Sequence, residues 1–490
     1  MPRTLRSACS LTLLMTLLQT AAFAAESSRP NIIFFLSDDH RSDLLGCAGH
    51  PILKTPVIDD LARRGVRFQN AFVTTSICAS SRATLFTGLW ERSHKSTFGT
   101  PPLAKALVAA SYPAALKASG YRTGFVGKFG VKVSRGATAQ MFDVFAPLNR
   151  NPYFKKQPDG SRRHVTEIAG DRAIQFLQGC RSDQPFCLSV SFNAAHAEDG
   201  DKKDHFPWPA AENGLYAEDT IPPPLVATDF WKTLPKFLQT SMHRDRWFWR
   251  WDTPQKYQAN VKAYYRMITG LDRVMGRVLD ASRRLKLADN TVIIFCGDNG
   301  YYKGSRGFAG KWSHYEESLR VPLVICDPRV PQSQWGRVVD SIALNVDVPA
   351  TITGLGLGRP PKSYQGRDLM PFVRGQNVSN WRTDFFCEHL FDNAKIPKWE
   401  GVRGQRYVYA RYFENLPQGE FLHDLQTDPR QLKNLTTDPA STPILKLMRR
   451  RCDELRDQYG GAYTPDTFPT IRRQREKRQQ PRPRTGTESR

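Results

Sequence analysis

The sequence predicts an α/β fold, a mixed sheet flanked by helices with a smaller α+β part after it, and three observations carry that prediction. Continuous apolar runs at 32–36, 124–126, 186–192 and 291–296 are each bounded by polar loops. That is the pattern of buried strands of the kind found in parallel sheets. Helix-like stretches such as 55–65 and 259–285 lie between the runs, and strands alternating with helices put helices on both faces of a sheet. Beyond about residue 380 the texture changes to shorter, turn-rich segments.

In chain order, the N-terminus reads as a secretory leader. Arg3 and Arg6 precede an apolar run at 11–18, and Ala22-Phe23-Ala24 follows it. This is the charged start, short greasy core and small-residue cleavage site of a signal peptide. The run is too short to span a bilayer as a helix. Cys9 stands before it, where a lipoprotein acylation site would not lie. Residues 1–24 are therefore expected to be removed, leaving a secreted or periplasmic chain with no stable membrane anchor. Residues 25–380 form the main domain. In 381–470, segments 407–413 and 421–425 read as antiparallel strands near a turn at Leu416-Pro417-Gln418-Gly419, with a helix at 442–458 to pack on them. Residues 471–490, rich in Arg, Gln and Pro, read as a disordered basic tail.

With 490 residues the chain suits one large domain and a smaller companion. Hydrophobic residues at 40% against 24% charged exclude wholesale disorder. The net charge of +23 favours anionic partners, whether nucleic acid, acidic membrane or sulfated and carboxylated polymers, without choosing among them. Of the nine cysteines, the eight other than Cys9 show no close CxxC pair and no zinc-type spacing. Cys180 and Cys187 flank a short segment, and either a disulfide or two buried thiols suits them.

The polar residues fall where chemistry is expected. Ligands of open α/β sheets bind beyond the carboxyl ends of the strands. Here the four apolar runs end in Asp38-Asp39, in Lys128, in Asn193 with His196, and in Asp298-Asn299. Any one could be an ordinary strand exit or a helix cap; four in one chain are hard to assign to chance. The oxygen donors of Asp38, Asp39, Asp298 and Asn299 suit calcium, which takes about six to eight oxygens, whereas zinc favours His and Cys.

The segment Cys78-Ala79-Ser80-Ser81-Arg82, followed by Leu85-Phe86-Thr87-Gly88, resembles the maturation signature of type I (formylglycine-dependent) sulfatases, Cys-x-(Ser/Pro/Ala)-x-Arg with a Leu-x-Thr-Gly extension. The resemblance implies that a formylglycine-generating enzyme oxidises Cys78 to formylglycine (3-oxoalanine). One hydroxyl of its hydrate attacks sulfur and the other expels the covalent sulfate. Arg82, one helical turn on, would hold the hydrate or an anionic oxygen. Calcium would be held by Asp38, Asp39, Asp298 and Asn299, with an oxygen of modified residue 78 completing the shell. Lys128, in Gly127-Lys128-Phe129-Gly130, and Lys311, in Gly310-Lys311-Trp312, match the family's two sulfate-binding lysines. Gly130 departs from the pattern, since many members carry histidine there. His196 matches the histidine ending the middle strand, and its near-neutral pKa suits protonation of a sugar leaving group. His314, close to Lys311, is a second candidate for that acid. The resemblance spans about residues 30–435, and it implies an alkaline phosphatase-like fold.

Substrate signals are thinner. Arg246-Trp247-Phe248-Trp249-Arg250-Trp251 mixes aromatics, which bind sugar faces, with arginines such as Arg250, which bind carboxylate or sulfate. A core or lid segment explains it equally well, because adjacent aromatics cannot all face one way. The reading is hydrolysis of sulfate esters on a carbohydrate or sulfated polysaccharide fragment, an anionic sulfated small molecule or glycan, with no nucleic acid partner. The alternatives are an arylsulfatase of broad specificity, a phosphatase or phosphodiesterase of the same superfamily, and an inactive polyanion-binding protein. The phosphatases use Ser or Thr with zinc and histidine ligands, whereas Asn follows Asp298 here.

Overall fold

The computed structural model describes residues 29–201 and 203–471. The leader expected at 1–24 and all but the first residue of the tail expected at 471–490 lie outside them. Eight strands make the main sheet: β1 (Asn31–Ser37), β2 (Val66–Phe68), β3 (Arg122–Gly127), β4 (Val144–Pro147), β5 (Phe186–Ser191), β6 (Thr291–Gly297), β7 (Leu323–Cys326) and β8 (Arg337–Val339). Their order is β8-β2-β7-β6-β1-β5-β3-β4. The four predicted runs become β6, β1, β5 and β3, adjacent and mutually parallel. Only β7 opposes its neighbours in this sheet, running antiparallel to β6 and β2.

Burial on both faces explains why these runs are continuously apolar. Ile32, Phe34 and Leu36 enter one core with Val292 and Ile294, while Ile33 and Phe35 enter the other with Ile293 and Phe295. Successive side chains of a strand point to opposite faces. Helices α1 (Pro56–Arg64), α3 (Val165–Gln178) and α5 (Pro254–Arg284) cover the second face. The 31-residue α5 starts at Thr253, whose hydroxyl accepts from Lys256 N at 3.1 Å, with Pro254 at its first position. Helices α2 (Cys78–Thr87) and α6 (Asp347–Leu357) cover the first face.

The C-terminal part is a four-stranded antiparallel meander, β9 (Asp384–His389), β10 (Trp399–Gly404), β11 (Tyr407–Arg411) and β12 (Glu420–Asp424). Helix α7 (Thr442–Tyr459) packs on it through Leu445, Met448, Cys452 and Leu455. The hairpin and helix read from the sequence are both present; β9 and β10 add two strands. Phe385, Phe386 and Trp399 join the same core as β1, so the meander and the main sheet share one hydrophobic interior. Cys180 and Cys187 are free thiols, not a disulfide, and Arg122 Nη1 donates to Cys180 Sγ at 3.2 Å. Among the described residues no helix is long and apolar enough to cross a membrane.

Candidate active site

Four loops meet because four parallel strands end level. Ser37 pairs with Gly297, Leu36 with Ser191, and Gly127 with Ser191. The residues that follow, Asp38-Asp39, Asp298-Asn299, Asn193 to His196 and Lys128, therefore emerge along one edge of the sheet. Backbone bonds lace the loops together: Asp38 N to Ala194 O at 2.9 Å, Ala195 N to Asp38 O at 2.8 Å, and His40 N to Asn299 O at 2.9 Å. Asp39 turns this corner at φ 53, a left-handed conformation that Asp tolerates better than most residues.

Cys78 is the first residue of α2, and Ile77 before it is extended at φ −154 and ψ 133. All ten residues of this helix are buried, as expected of a helix packed on every side. Ser80 Oγ donates to Glu91 Oε1 at 2.7 Å, and Ser81 Oγ accepts from Asn345 Nδ2 at 2.9 Å. The Leu-x-Thr-Gly extension is the end of the helix: Leu85 is core, and Gly88 is the left-handed C-cap at φ 69, donating to Thr84 O. A Cβ at Gly88 would lie 2.5 Å from the Tyr364 ring. The motif thus specifies a short rigid helix with residue 78 at its positive end.

Arg82 is fully buried, one turn of α2 beyond Cys78. Its Nε donates to Asp298 Oδ2 at 2.8 Å and its Nη1 to Lys128 O at 2.6 Å and to Ser191 Oγ, while Nη2 stands 3.6 Å from Asp38. These contacts tie the acidic loops to α2, while Nη2 is buried without a hydrogen-bond partner. Lys128 Nζ donates to Asp38 Oδ2 and Lys311 Nζ to Asp39 Oδ1. Burial alone would lower the Lys311 pKa, but Asp39, then Cys78, Asp38 and Asp298, hold it above the ordinary lysine range.

Three carboxylates, Asp38, Asp39 and Asp298, face three cations, Lys128, Lys311 and Arg82. Burial and the Asp38 charge push Asp298 up to about 6, against Arg82 and Lys128. Burial would raise Asp38 too, yet Lys128, Arg82 and Lys311 keep it below the usual carboxylate range. Asp38 Oδ1 and Asn299 Oδ1 are buried without a hydrogen-bond partner. Such orphans are rare unless another group, such as a cation, satisfies them. Asp39 Oδ1 also accepts from Asn299 Nδ2 at 2.7 Å, which leaves the amide oxygen free. These are hard oxygen donors, and they fit calcium. Asp38, Asp39 and His196 also come together closely enough to hold a metal, although imidazole is a poor ligand for a hard ion.

A pocket of about 390 Å³ opens over this cluster, with Cys78, Lys128, Gly130, Arg150, His196 and Lys311 in its wall. His196 Nδ1 lies 2.7 Å from Ala197 O, so Nδ1 carries the hydrogen, and Nε2, 3.7 Å from Asp39 Oδ2, is left for chemistry. Burial, then Arg150, Lys311 and Lys128, hold the His196 pKa well below the usual histidine value. Gly130 has φ +72, and a Cβ there would lie 2.6 Å from Arg82 Cδ, so this backbone conformation favours glycine. His314 is not in this pocket: its Nδ1 meets Tyr412 Oη at 3.1 Å and its Nε2 meets His423 Nε2 at 3.3 Å, against the C-terminal meander. As an acid for this pocket it is corrected. Arg250 is fully buried behind Asp199, 2.5 Å away, rather than facing a ligand. Arg150 was not picked out from the sequence, because Asn149-Arg150-Asn151 has no pattern that marks it.

The Sulfatase family profile matches residues 30–358, and that of the N-sulphoglucosamine sulphohydrolase C-terminal region matches 304–458. An N-acetylglucosamine-6-O-sulfatase of Bacteroides thetaiotaomicron is 24% identical, over 89% of this chain and 87% of its own. An ulvan-active sulfatase of Formosa agariphila is 27% identical, over 84% and 78%. A solved structure described as a complex with its substrate D-glucosamine-2-N,6-O-disulfate superposes with TM-score 0.77 at 21% identity, covering 88% of this chain and 98% of that one. A phosphonate monoester hydrolase of Agrobacterium radiobacter gives TM-score 0.72 at 24% identity, covering 88% and 96%. The chain belongs to the sulfatase family.

Proposed function

We propose that this protein hydrolyses sulfate esters on a carbohydrate, using Cys78 after its oxidation to formylglycine and a calcium ion held by Asp38, Asp39, Asp298 and Asn299. The observation that carries this reading is the position of Cys78. It opens α2 in the wall of a pocket shared with Lys128, Lys311 and His196, beside unsatisfied oxygen donors. The relatives named for N-acetylglucosamine 6-O-sulfate and ulvan support a carbohydrate substrate. The leader read at 1–24 supports export to the periplasm or beyond, with maturation by a formylglycine-generating enzyme.

Formylglycine at residue 78 would supply a nucleophilic hydroxyl, and calcium held by Asp38, Asp39, Asp298 and Asn299 would supply fixed positive charge. The chain's own residues do the rest. Lys128 and Lys311, now held by Asp38 and Asp39, line the pocket and turn their ammonium groups onto the ester oxygens. His196 delivers a proton from Nε2 to the departing sugar oxygen. In the free site burial first, then Arg150, Lys311 and Lys128, disfavour the charged ring; the charge of a bound ester opposes those cations and favours the protonated ring. Arg82 keeps Asp298 and Asp38 in place beneath them.

The test is release of inorganic sulfate from a panel of sulfated mono- and disaccharides, alongside 4-nitrophenyl sulfate and a phenyl phosphonate ester, which carries the same single charge. Sulfate should be released from a sugar, chelation should abolish it, and calcium should restore it. Turnover of the phosphonate alone, or restoration by zinc and not by calcium, would move the protein to another branch of the superfamily. Turnover of aryl sulfate alone would remove the carbohydrate.

A further inference from the structure

The cations of this pocket are unevenly compensated. Lys128 and Lys311 each have their own carboxylate, Asp38 and Asp39. Arg150, Arg246 and Arg250 instead share Asp199, at 3.7, 3.1 and 2.5 Å. Burial works against the Asp199 charge, yet Arg246, Arg250 and Arg150 outweigh it and hold its carboxyl below the usual range. It stays ionised, and still offsets only one of three guanidinium charges. Asp38 and Glu198 also act on Arg150, whereas Arg246 and Arg250 have Asp199 as their ion-pair partner. Arg250 is sealed off as a support, whereas Arg150, Arg246 and Asp199 reach the pocket wall.

Arg246 is also held as a recognition group would be. It projects from α4 (Met242–Arg250), and its guanidinium stands 5.0 Å from the Trp312 ring centroid, a cation–π contact that restrains it. Its Nε is buried with no hydrogen-bond partner. On the same pocket Phe98 is 44% exposed and meets Phe391 edge-on at 5.6 Å. A large exposed aromatic beside convergent cations fits a ring with an apolar face and anionic substituents.

We propose that Arg246 and Arg150 form a second anion subsite in the pocket of Cys78, so that the preferred substrate carries, besides the scissile sulfate ester, another oxyanion on the same or the adjacent sugar. This rests on the sulfate-ester reading and names the substrate class within it. Asp199 acts as the counter-ion that keeps the guanidinium groups apart and oriented. The oxyanion is a sulfate or a carboxylate, since the fork of Arg pairs with either.

Calorimetric binding to the calcium-loaded Cys78→Ala protein tests this without turnover. The probes are N-acetylglucosamine 6-O-sulfate, glucosamine-2-N,6-O-disulfate, and a 6-O-sulfated disaccharide whose second ring is a uronate. At least one doubly charged probe should bind roughly tenfold tighter than the singly charged sugar, as expected for a charge-assisted contact. Which one does identifies sulfate or carboxylate. Adding Arg246→Gln should erase most of that preference, and Arg246→Lys should keep part of it. Equal affinity for all three probes, or a preference unchanged by Arg246→Gln, overturns the subsite alone. Binding of none of them removes the carbohydrate reading, and the subsite with it.

Discussion

Arg82 Nε donates to Asp298 Oδ2 at 2.8 Å across 216 residues of sequence, joining the nucleophile helix to the end of β6. Both side chains are buried, at 1% and 0% exposure. Cutting one partner of a buried pair leaves an uncompensated charge, at a cost of about 3–5 kcal/mol. Arg82→Met should therefore destabilise the fold by about that much in denaturant unfolding and reduce calcium content in metal analysis. Normal stability with normal calcium would show that Arg82 serves the substrate instead.

Gly130 offers a sharper case. Placing histidine there, as many sulfatases do, should not improve this protein, because φ +72 and Arg82 Cδ at 2.6 Å make a Cβ strained and crowded. The left-handed backbone alone costs roughly 1–2 kcal/mol. Gly130→His is expected to lower both melting temperature and kcat. A stable, faster variant would contradict the packing argument.

The role of His196 separates by leaving group. Losing a general acid should cost roughly a hundredfold to ten-thousandfold on a sugar sulfate. A nitrophenolate departs without that proton, so His196→Gln should spare 4-nitrophenyl sulfate by comparison. Equal losses on the two substrates would mean that His196 holds sulfate or metal, in keeping with its closeness to Asp38 and Asp39.

A pH dependence follows from Glu91, which receives Ser80 Oγ and Leu390 N. Burial first, and Glu388 second, push its carboxyl up to about 8. Between the ordinary glutamate range and pH 8 the folded state keeps a proton that the unfolded chain has lost. Stability therefore falls as pH rises through that window, by up to about 1.4 kcal/mol per pH unit. Glu91→Gln can accept from Leu390 N and donate to Ser80 Oγ. Its melting temperature should decline less between pH 5 and 8 than that of the wild type, and parallel curves would rule Glu91 out as the source.

The strands were legible because burial on both faces writes itself as continuous apolar runs, and their ends announced Asp38, Asp39, Lys128, Asp298 and Asn299 directly. The Cys78 motif was legible as chemistry, but the task of Arg82 was not. A sequence separation of four shows helical proximity, not which way a long side chain turns. His314 misled for the same reason, since nearness to Lys311 in sequence does not keep it off the C-terminal meander. Arg150 was invisible because its partners, Asp199 and the Ala197 carbonyl, come from a loop nearly fifty residues away.

The central claim is chemical modification of residue 78. Protein matured by co-expression with a formylglycine-generating enzyme can be digested, and the peptide spanning Cys78 examined by mass spectrometry before and after hydrazide labelling. An aldehyde at position 78, in a fraction that tracks specific activity across preparations, is the predicted result. A fully active preparation in which residue 78 is an unmodified thiol would contradict the account.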